Sequence, residues 1–216
     1  MKIALLGKGK TGSKVAELAS VTIFDTQNPP SLEKLQGHDV IISFLPGEAF
    51  QHFIPMLLES KLPVVTGSTG FSWPQNFDQT LKEKSLGWIY ATNFSMGVVV
   101  LKTLIEKLSG FSGLFKADVS IHEVHHTMKK DAPSGTALSM KEWWGKDCEI
   151  TSERTGDVIG FHELTFNTSS EIIRLSHEAQ DRKLFAEGAL WAARFITNNK
   201  LKGLHSFQSV IERGTL

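Results

Sequence analysis

Residues 122–137 read HEVHHTMKKDAPSGTA. Burying so many titratable groups beside a tight turn is unfavourable in a core and natural in a site. On an extended strand, neighbouring side chains point to opposite faces. His125 and His126 can therefore share a pocket only if the strand ends there, and the polar TMKKDAP that follows predicts that it does. Ser134, Gly135 and Thr136, after Pro133, mark a helix start with Ser134 as N-cap. The free N–H groups of such a start attract a carboxylate. Lys129, four residues past His125, offers a compact cation or a proton donor. Lys130 reads as a solvated surface residue, and His122 as a strand residue with a satisfied hydrogen bond. Zinc ligation by His122, Glu123, His125 and His126 is opposed by the flanking lysines, which repel a cation, and by the lack of a second cluster with ligand spacing. No metal is expected.

A second constellation opens the chain. Gly7-Lys8-Gly9-Lys10-Thr11-Gly12 lies between a predicted strand and a predicted helix. That is the context of the dinucleotide fingerprint, in which glycines allow the tight turn, the close approach of a pyrophosphate and helix–strand packing. Asp25 ends the second predicted strand, 18 residues past Gly7, where an acid would hold ribose hydroxyls. No arginine follows it to hold a 2′-phosphate, but Lys8 and Lys10 could, so the choice between NADH and NADPH stays open. Together the two constellations describe an anion pocket with a proton donor beside a redox cofactor. The implied chemistry is reduction of a small carboxylate by hydride.

The elements that must position these residues fall into two patterns. Residues 2–6, 21–25, 39–45, 63–70 and 87–94 read as strands alternating with helices, so the first part is a parallel sheet built of right-handed crossovers. Pro55 should kink the helix over 48–60 or mark its start. After a helix over 96–110, ended by Gly110, the pattern becomes α+β, with a strand leading into His125 and His126 and a helix opening near Ser134. Residues 157–179 predict two antiparallel strands with a turn at 167–170. The apolar face of that sheet has too few later helices to cover it, which marks an interface. A final amphipathic helix over 183–196 should pack back on the first part.

Composition narrows the partners. Lys plus Arg equals Asp plus Glu at 23 each, so no global field recruits nucleic acid or an anionic membrane. No apolar run approaches the roughly 20 residues of a membrane-spanning helix, and the N-terminus lacks the features of a signal peptide. One cysteine, Cys148, excludes an intramolecular disulfide and fits a reducing compartment. A cytoplasmic protein is expected.

The stretch E-V-H-H-T-M-K-K-D-A-P-S-G-T-A closely resembles the signature of the dihydrodipicolinate reductases, E-x-H-H-x-x-K-x-D-x-P-S-G-T-A. The similarity extends to the glycine loop, to TGSTGF (66–71), ATNFSMG (91–97), RTGDVIGFH (154–162), SHEAQDR (176–182) and FAEGA (185–189). The resemblance implies a Rossmann-like dinucleotide-binding domain (1–95 and 183–216) and an α+β domain (96–182) whose open mixed sheet binds substrate and builds a homotetramer. It implies His125 as catalytic histidine and Lys129 as proton donor, with His126, Ser134, Gly135 and Thr136 at the substrate. It places Gly67, Ser68, Thr69, Ala91, Thr92, Asn93 and Phe94 along the nicotinamide. The implied substrate is a small cyclic dicarboxylate. This chain differs from the family in a compressed region between Gly12 and Asp25, and in a glycine loop one residue shorter than G-x-x-G-x-x-G. Another Rossmann reductase of a small carboxylate, or a catalytically silent NAD(P)-binding sensor, are the competing readings.

Overall fold

A computed structural model describes residues 1–214. The chain runs β1 (Ile3–Leu6), α1 (Lys10–Leu18), β2 (Val21–Phe24), α2 (Leu32–Leu35), β3 (Val40–Ser43), α3 (Gly47–Glu59), β4 (Val64–Thr66), α4 (Phe77–Glu83) and β5 (Gly87–Tyr90). It continues through α5 (Met96–Phe111), β6 (Asp118–His125), α6 (Gly135–Trp144), β7 (Glu149–Arg154), β8 (Phe161–Asn167) and β9 (Ile172–Glu178). It closes with α7 (Lys183–Asn199), β10 (Gly203–Ser206) and α8 (Phe207–Gly214). Two compact units result: Met1–Ser95 with the segment from Arg182 onward, and Met96–Asp181.

The first unit holds a six-stranded parallel sheet of order β10-β5-β4-β3-β1-β2. Every residue of β1, β3 and β4 is buried, as expected of parallel strands covered on both faces. The order reverses between β1 and β3, which makes that point the topological switch. β2 is an edge strand, and the compressed stretch before Asp25 leaves only α1 between it and β1. α7 packs against α1, β3, β4 and β5 through a face of small residues that includes Ala186, Ala189, Ala192 and Ala193. Gly188 sits so close to the chain that a Cβ there would lie 1.8 Å from the Phe94 carbonyl oxygen. The amphipathic helix expected over 183–196 therefore packs on the first unit as α7, although it is not the final element, since β10 and α8 follow it.

The second unit is a mixed sheet of order β7-β6-β8-β9, with β6 parallel to β7 and antiparallel to β8. Ile121, Leu164 and Phe166 line one face and pack with Leu101 and Ile105 of α5 and Ala137, Met140 and Trp144 of α6. This overturns the expectation of an uncovered apolar face: α5, which precedes the sheet, supplies the missing cover. The other face is mainly polar, carrying Ser120, His122, Thr151, Glu163, Thr165, Arg174 and Ser176. Exposed apolar side chains gather instead on α5 and the turn after it, at Val100, Leu104, Phe111, Leu114 and Phe115.

Smaller corrections have local causes. α3 starts at Gly47 and runs through Pro55, so that proline neither begins nor ends the helix. It removes one backbone donor, and the buried side chains Phe50, Ile54 and Leu57 hold the helix in place across it. α5 extends one residue past Gly110, to Phe111. The β8–β9 turn lies at 168–171, one residue later than expected, and Thr168 N–H donates to the Glu171 carbonyl at 2.9 Å.

Candidate active site

In the first unit, parallel register brings several strand ends to one edge. Leu6 lies beside Phe24 and Ser43, Ser43 beside Thr66, and Thr66 beside Tyr90. The residues that follow are therefore neighbours: Gly7 to Gly12, Asp25, Phe44, Gly67 to Thr69, and Ala91 to Phe94. Backbone bonds continue the alignment past the strands, from Gly7 N to Phe24 O, Phe44 N to Leu6 O, Gly67 N to Ser43 O and Ala91 N to Thr66 O, at 2.9 to 3.1 Å. Open α/β sheets bind ligands at this carboxyl edge.

The loop itself fits a pyrophosphate. Gly7 has φ +93°, a conformation that favours glycine. A Cβ on Gly12 would lie 2.0 Å from the Gly7 carbonyl oxygen, so only glycine allows α1 to approach the loop this closely. Gly9, the N-cap of α1, has φ −75° and open space where a Cβ would stand. No side chain caps α1, and its first turn holds no acid, which suits an anion at the helix start. Lys8 and Lys10 are exposed and Thr11 is half-buried. The Asp25 carboxylate accepts from Gln27 N at 2.9 Å and Asn28 N at 3.0 Å through one oxygen, so it also closes its own turn. Phe44, which sequence reading did not single out, stands edge-on to Phe94 at 6.0 Å and fills the space where a Cβ on Gly67 would go. Ser68 and Ser43 are buried with their hydroxyls 3.3 Å apart. The Asn93 side chain accepts from Ser95 N at 2.8 Å. Thr69 and Thr92 are exposed.

In the second unit β6 ends at His125, so the strand does stop where the two histidines meet. Alternation places Ile121, Glu123 and His125 on the inner face. His122 faces the other way and bonds Thr151 Oγ1 at 2.9 Å. The chain then turns, with Lys129 N donating to His126 O at 3.1 Å. Lys129 Nζ reaches both Asp131 carboxylate oxygens at 2.8 Å, while Lys130 is exposed. Ser134 is the N-cap of α6, accepting from Ala137 N at 3.2 Å. Gly135 is exposed and Thr136 half-buried at the helix start.

Beneath this surface lies a charged cluster that sequence reading did not assemble. Glu123 is fully buried, at 0 % exposure. Its carboxylate bonds His125 Nδ1, accepts from Arg154 Nη2 at 2.7 Å and accepts from Ser134 N at 3.2 Å. Arg154 Nη2 also donates to the Asp131 carbonyl at 2.5 Å. His162, 5 % exposed, bonds Ser134 Oγ through Nε2 at 3.2 Å and packs edge-on to His125. Glu123, His125 and His162 place one donor atom each within 4.8 Å of one another, a spacing that a cation could use. The carboxylate is already committed to a guanidinium, a backbone N–H and an imidazole, so an ion there would have to displace Arg154 and face Lys129.

Burial sets the protonation of this cluster. Burial alone would raise the Glu123 carboxyl, but hydrogen bonds from Arg154, Ser152 and His125 outweigh it and hold the pKa at about 2. Burial lowers His125, Glu123 partly restores it, and the charges of Lys129 and Arg154 lower it further. His162 is pushed down to about 4, chiefly by burial and then by His125. A charged His162 would also hold an N–H with no acceptor among the described residues, where its Nδ1 has no hydrogen-bond partner. The folded protein thus resists protonating His162, and stability should fall as pH drops from the ordinary value of 6.5 towards about 4. That penalty is on the order of 3 kcal/mol. Below 4.5, protonation of Glu123 adds a second loss of the same sign. Thermal midpoints between pH 7 and 4 should therefore decline, and His162→Gln should flatten the upper part of the decline. An unchanged slope in that variant would remove His162 as the cause.

A doubly wound parallel sheet with a glycine loop at its switch point, joined to a mixed sheet bearing a histidine, a lysine and a helix start, defines a two-domain oxidoreductase of the dinucleotide-dependent class. Residues 8–94 match the family described as dihydrodipicolinate reductase, N-terminus, and residues 97–211 match dihydrodipicolinate reductase, C-terminus; the chain belongs to the dihydrodipicolinate reductase family. It is 36% identical over 195 residues to the 4-hydroxy-tetrahydrodipicolinate reductase of a Nitratiruptor species, covering 77% of this chain and 74% of that one. It is 32% identical over 221 residues to the enzyme of that name from Alkaliphilus metalliredigens, covering 92% and 90%. Its fold is that of the dipicolinate-bound dihydrodipicolinate reductase from Paenisporosarcina sp. TG-14, with a TM-score of 0.78 at 22% identity over 95% of this chain and 97% of that one.

Proposed function

We propose that the protein reduces 4-hydroxy-tetrahydrodipicolinate to tetrahydrodipicolinate with NADH or NADPH, on the route to diaminopimelate and lysine. The single observation that supports this best is the convergence at the end of β6. His125 and the N-terminus of α6 meet at one buried carboxylate, Glu123, and Lys129, whose charge acts on His125, stands on the loop between them, paired with Asp131. Substrate-dependent oxidation of NADH or NADPH tests it.

NADH or NADPH, when bound, would supply a hydride. Gly7, Lys8, Gly9, Lys10, Thr11 and Gly12 would hold the dinucleotide phosphates, and the segments 67–69 and 91–94 would lie along the nicotinamide. His126, Ser134, Gly135 and Thr136 hold the substrate carboxylates at the start of α6, where the helix dipole favours negative charge. The 4-hydroxyl leaves as water together with a proton from the adjacent ring carbon, and the conjugated ring so formed would take hydride at the vacated carbon while Lys129 Nζ delivers a proton to its neighbour. Charge develops as hydride arrives, so the Lys129 cation and the helix dipole contribute most in the transition state.

Asp25 holds the ribose hydroxyls in this reading and disfavours a 2′-phosphate. Asp25→Asn keeps the oxygen that closes the turn and removes the negative charge. The balance between the two cofactors should then move towards NADPH, read as the ratio of the two dissociation constants. A ratio unchanged from the parent would take Asp25 out of cofactor choice.

We place the enzyme in the cytoplasm as a homotetramer assembled through the second unit. The resemblance supports this state, and so do the exposed apolar residues of α5 and its following turn, which mark a surface that solvent covers poorly. Light scattering reads the state directly.

A further inference from the structure

We infer that Glu123 is the residue that positions His125, with Arg154 as its anchor; this rests on the reading of His125 as the reacting histidine. Four segments meet at the Glu123 carboxylate. His125 comes from the same strand, Arg154 from the end of β7, Ser134 N from the start of α6, and the 126–134 loop through Asp131 O on Arg154. An ionised carboxylate only accepts hydrogen bonds. His125 Nδ1 must therefore carry a hydrogen, and Nε2 is the nitrogen left for chemistry. The chain keeps room beside that nitrogen: a Cβ on Gly160 would lie 3.1 Å from His125 Nε2.

The charged and titratable groups around His125 come from every element packed on it. They are Glu123 on β6, Lys129 and Asp131 on the loop, Arg154 on β7 and His162 on β8, with His177 on β9 beyond His162. Among these, Glu123 alone bonds the ring. It fixes the tautomer and balances the imidazolium whenever Nε2 takes up a proton, the role a buried acid plays behind other reacting histidines. Sequence distance hid the arrangement, because Arg154 lies 31 residues from Glu123.

Glu123→Gln gives a sharp test. Arg154 and Ser134 N each demand an acceptor, so the glutamine oxygen turns to them and its NH₂ faces His125 Nδ1. The ring must then give up its Nδ1 hydrogen and carry it on Nε2. The expected result is a fall in kcat of roughly 10²-fold, with KM for the cyclic substrate and affinity for NADH nearly unchanged. In ¹⁵N–¹H spectra of the imidazoles, the His125 signal should switch tautomer and titrate at lower pH than in the parent. Because an unpaired Arg154 could unfold the protein, the double variant Glu123→Gln/Arg154→Met repeats the measurement without a buried orphan charge. It should show the same tautomer switch and the same loss of kcat. If either variant folds and keeps the parental tautomer, titration and kcat, Glu123 does not position His125; a drop in thermal midpoint alone counts against the role too. Failure of the unsubstituted protein to turn over the substrate would fall on the proposed function instead. The imidazole spectra need no substrate and still decide the part played by Glu123.

Discussion

Lys129→Ala should lower turnover by about 10²–10⁴-fold, the scale of one acid–base group, while leaving the affinity for NADH nearly unchanged. In the proposed mechanism, the substitution removes both the ammonium that delivers the proton and a positive charge near the substrate carboxylates. It also frees the Asp131 carboxylate, which Lys129 engages through both oxygens and holds below the ordinary carboxylate range. A lone anion would then stand where the proposed function places an anionic substrate, so KM should rise as well. Lys129→Ala/Asp131→Asn separates the two effects: it should recover much of KM and little of kcat. Because the Lys129–Asp131 pair lies near the surface, where such pairs contribute about 0–1 kcal/mol, the thermal midpoint should barely move. A merely structural lysine predicts the reverse, a lower midpoint with full turnover per folded molecule. Near-parental turnover in folded Lys129→Ala would refute the proton-donor role.

The glycine loop supports a second large effect, because two of its glycines fail in opposite ways. Gly12→Ala sets a methyl group 2.0 Å from the Gly7 carbonyl oxygen, against backbone rather than a side chain that can swing away. Overpacking of this kind costs about 1–3 kcal/mol or more, so the variant should lose stability and cofactor binding together. Among the described residues, Gly9→Ala meets no atom within 4 Å beyond its chain neighbours and own helix, at a φ of −75° that alanine adopts readily. Its stability should hold or rise slightly. If pyrophosphate approaches the loop there, the new methyl obstructs it. A penalty of about 1–3 kcal/mol corresponds to NADH and NADPH affinities weaker by roughly 5- to 150-fold. Titration of both cofactors into Gly9→Ala, alongside its thermal midpoint, reads the outcome. Parental affinity in that variant would show that the dinucleotide does not lie against Gly9.

Much of this was legible in the sequence, for identifiable reasons. Apolar runs bounded by turns located β1, β3, β4 and β5, because buried parallel strands have nothing polar to break them, while the edge strand β2, only partly buried, was marked by its β-branched VTIF. Pro133-Ser134 located the start of α6, because N-cap chemistry is local. β7 was not legible: its EITSER pairs only with β6 and exposes four of its six residues, so no apolar period marks it. β10 was hidden because GLHS is a four-residue edge strand in the short stretch between α7 and α8. In the site, His125, Lys129 and Ser134 were legible because they fall within one short stretch. The cluster beneath them was not. Glu123 sits at a position where alternation from Ile121 demands an inward side chain, and an acid there reads as an error in the pattern until Arg154 is seen beside it. His162 belongs to the same class, since its partner Ser134 is 28 residues away. The cover of the apolar face was illegible for a related reason: α5 precedes the sheet it packs on, and nothing local in its sequence marks that sheet as its partner.

The most direct test is oxidation of NADH and of NADPH by the purified protein upon addition of 4-hydroxy-tetrahydrodipicolinate, generated in place by its synthase. Reduction of the cyclic substrate by this protein requires rapid, substrate-dependent loss of nicotinamide absorbance with at least one cofactor, and a much slower loss with folded Lys129→Ala. Binding of either cofactor with no oxidation on adding the substrate would contradict it.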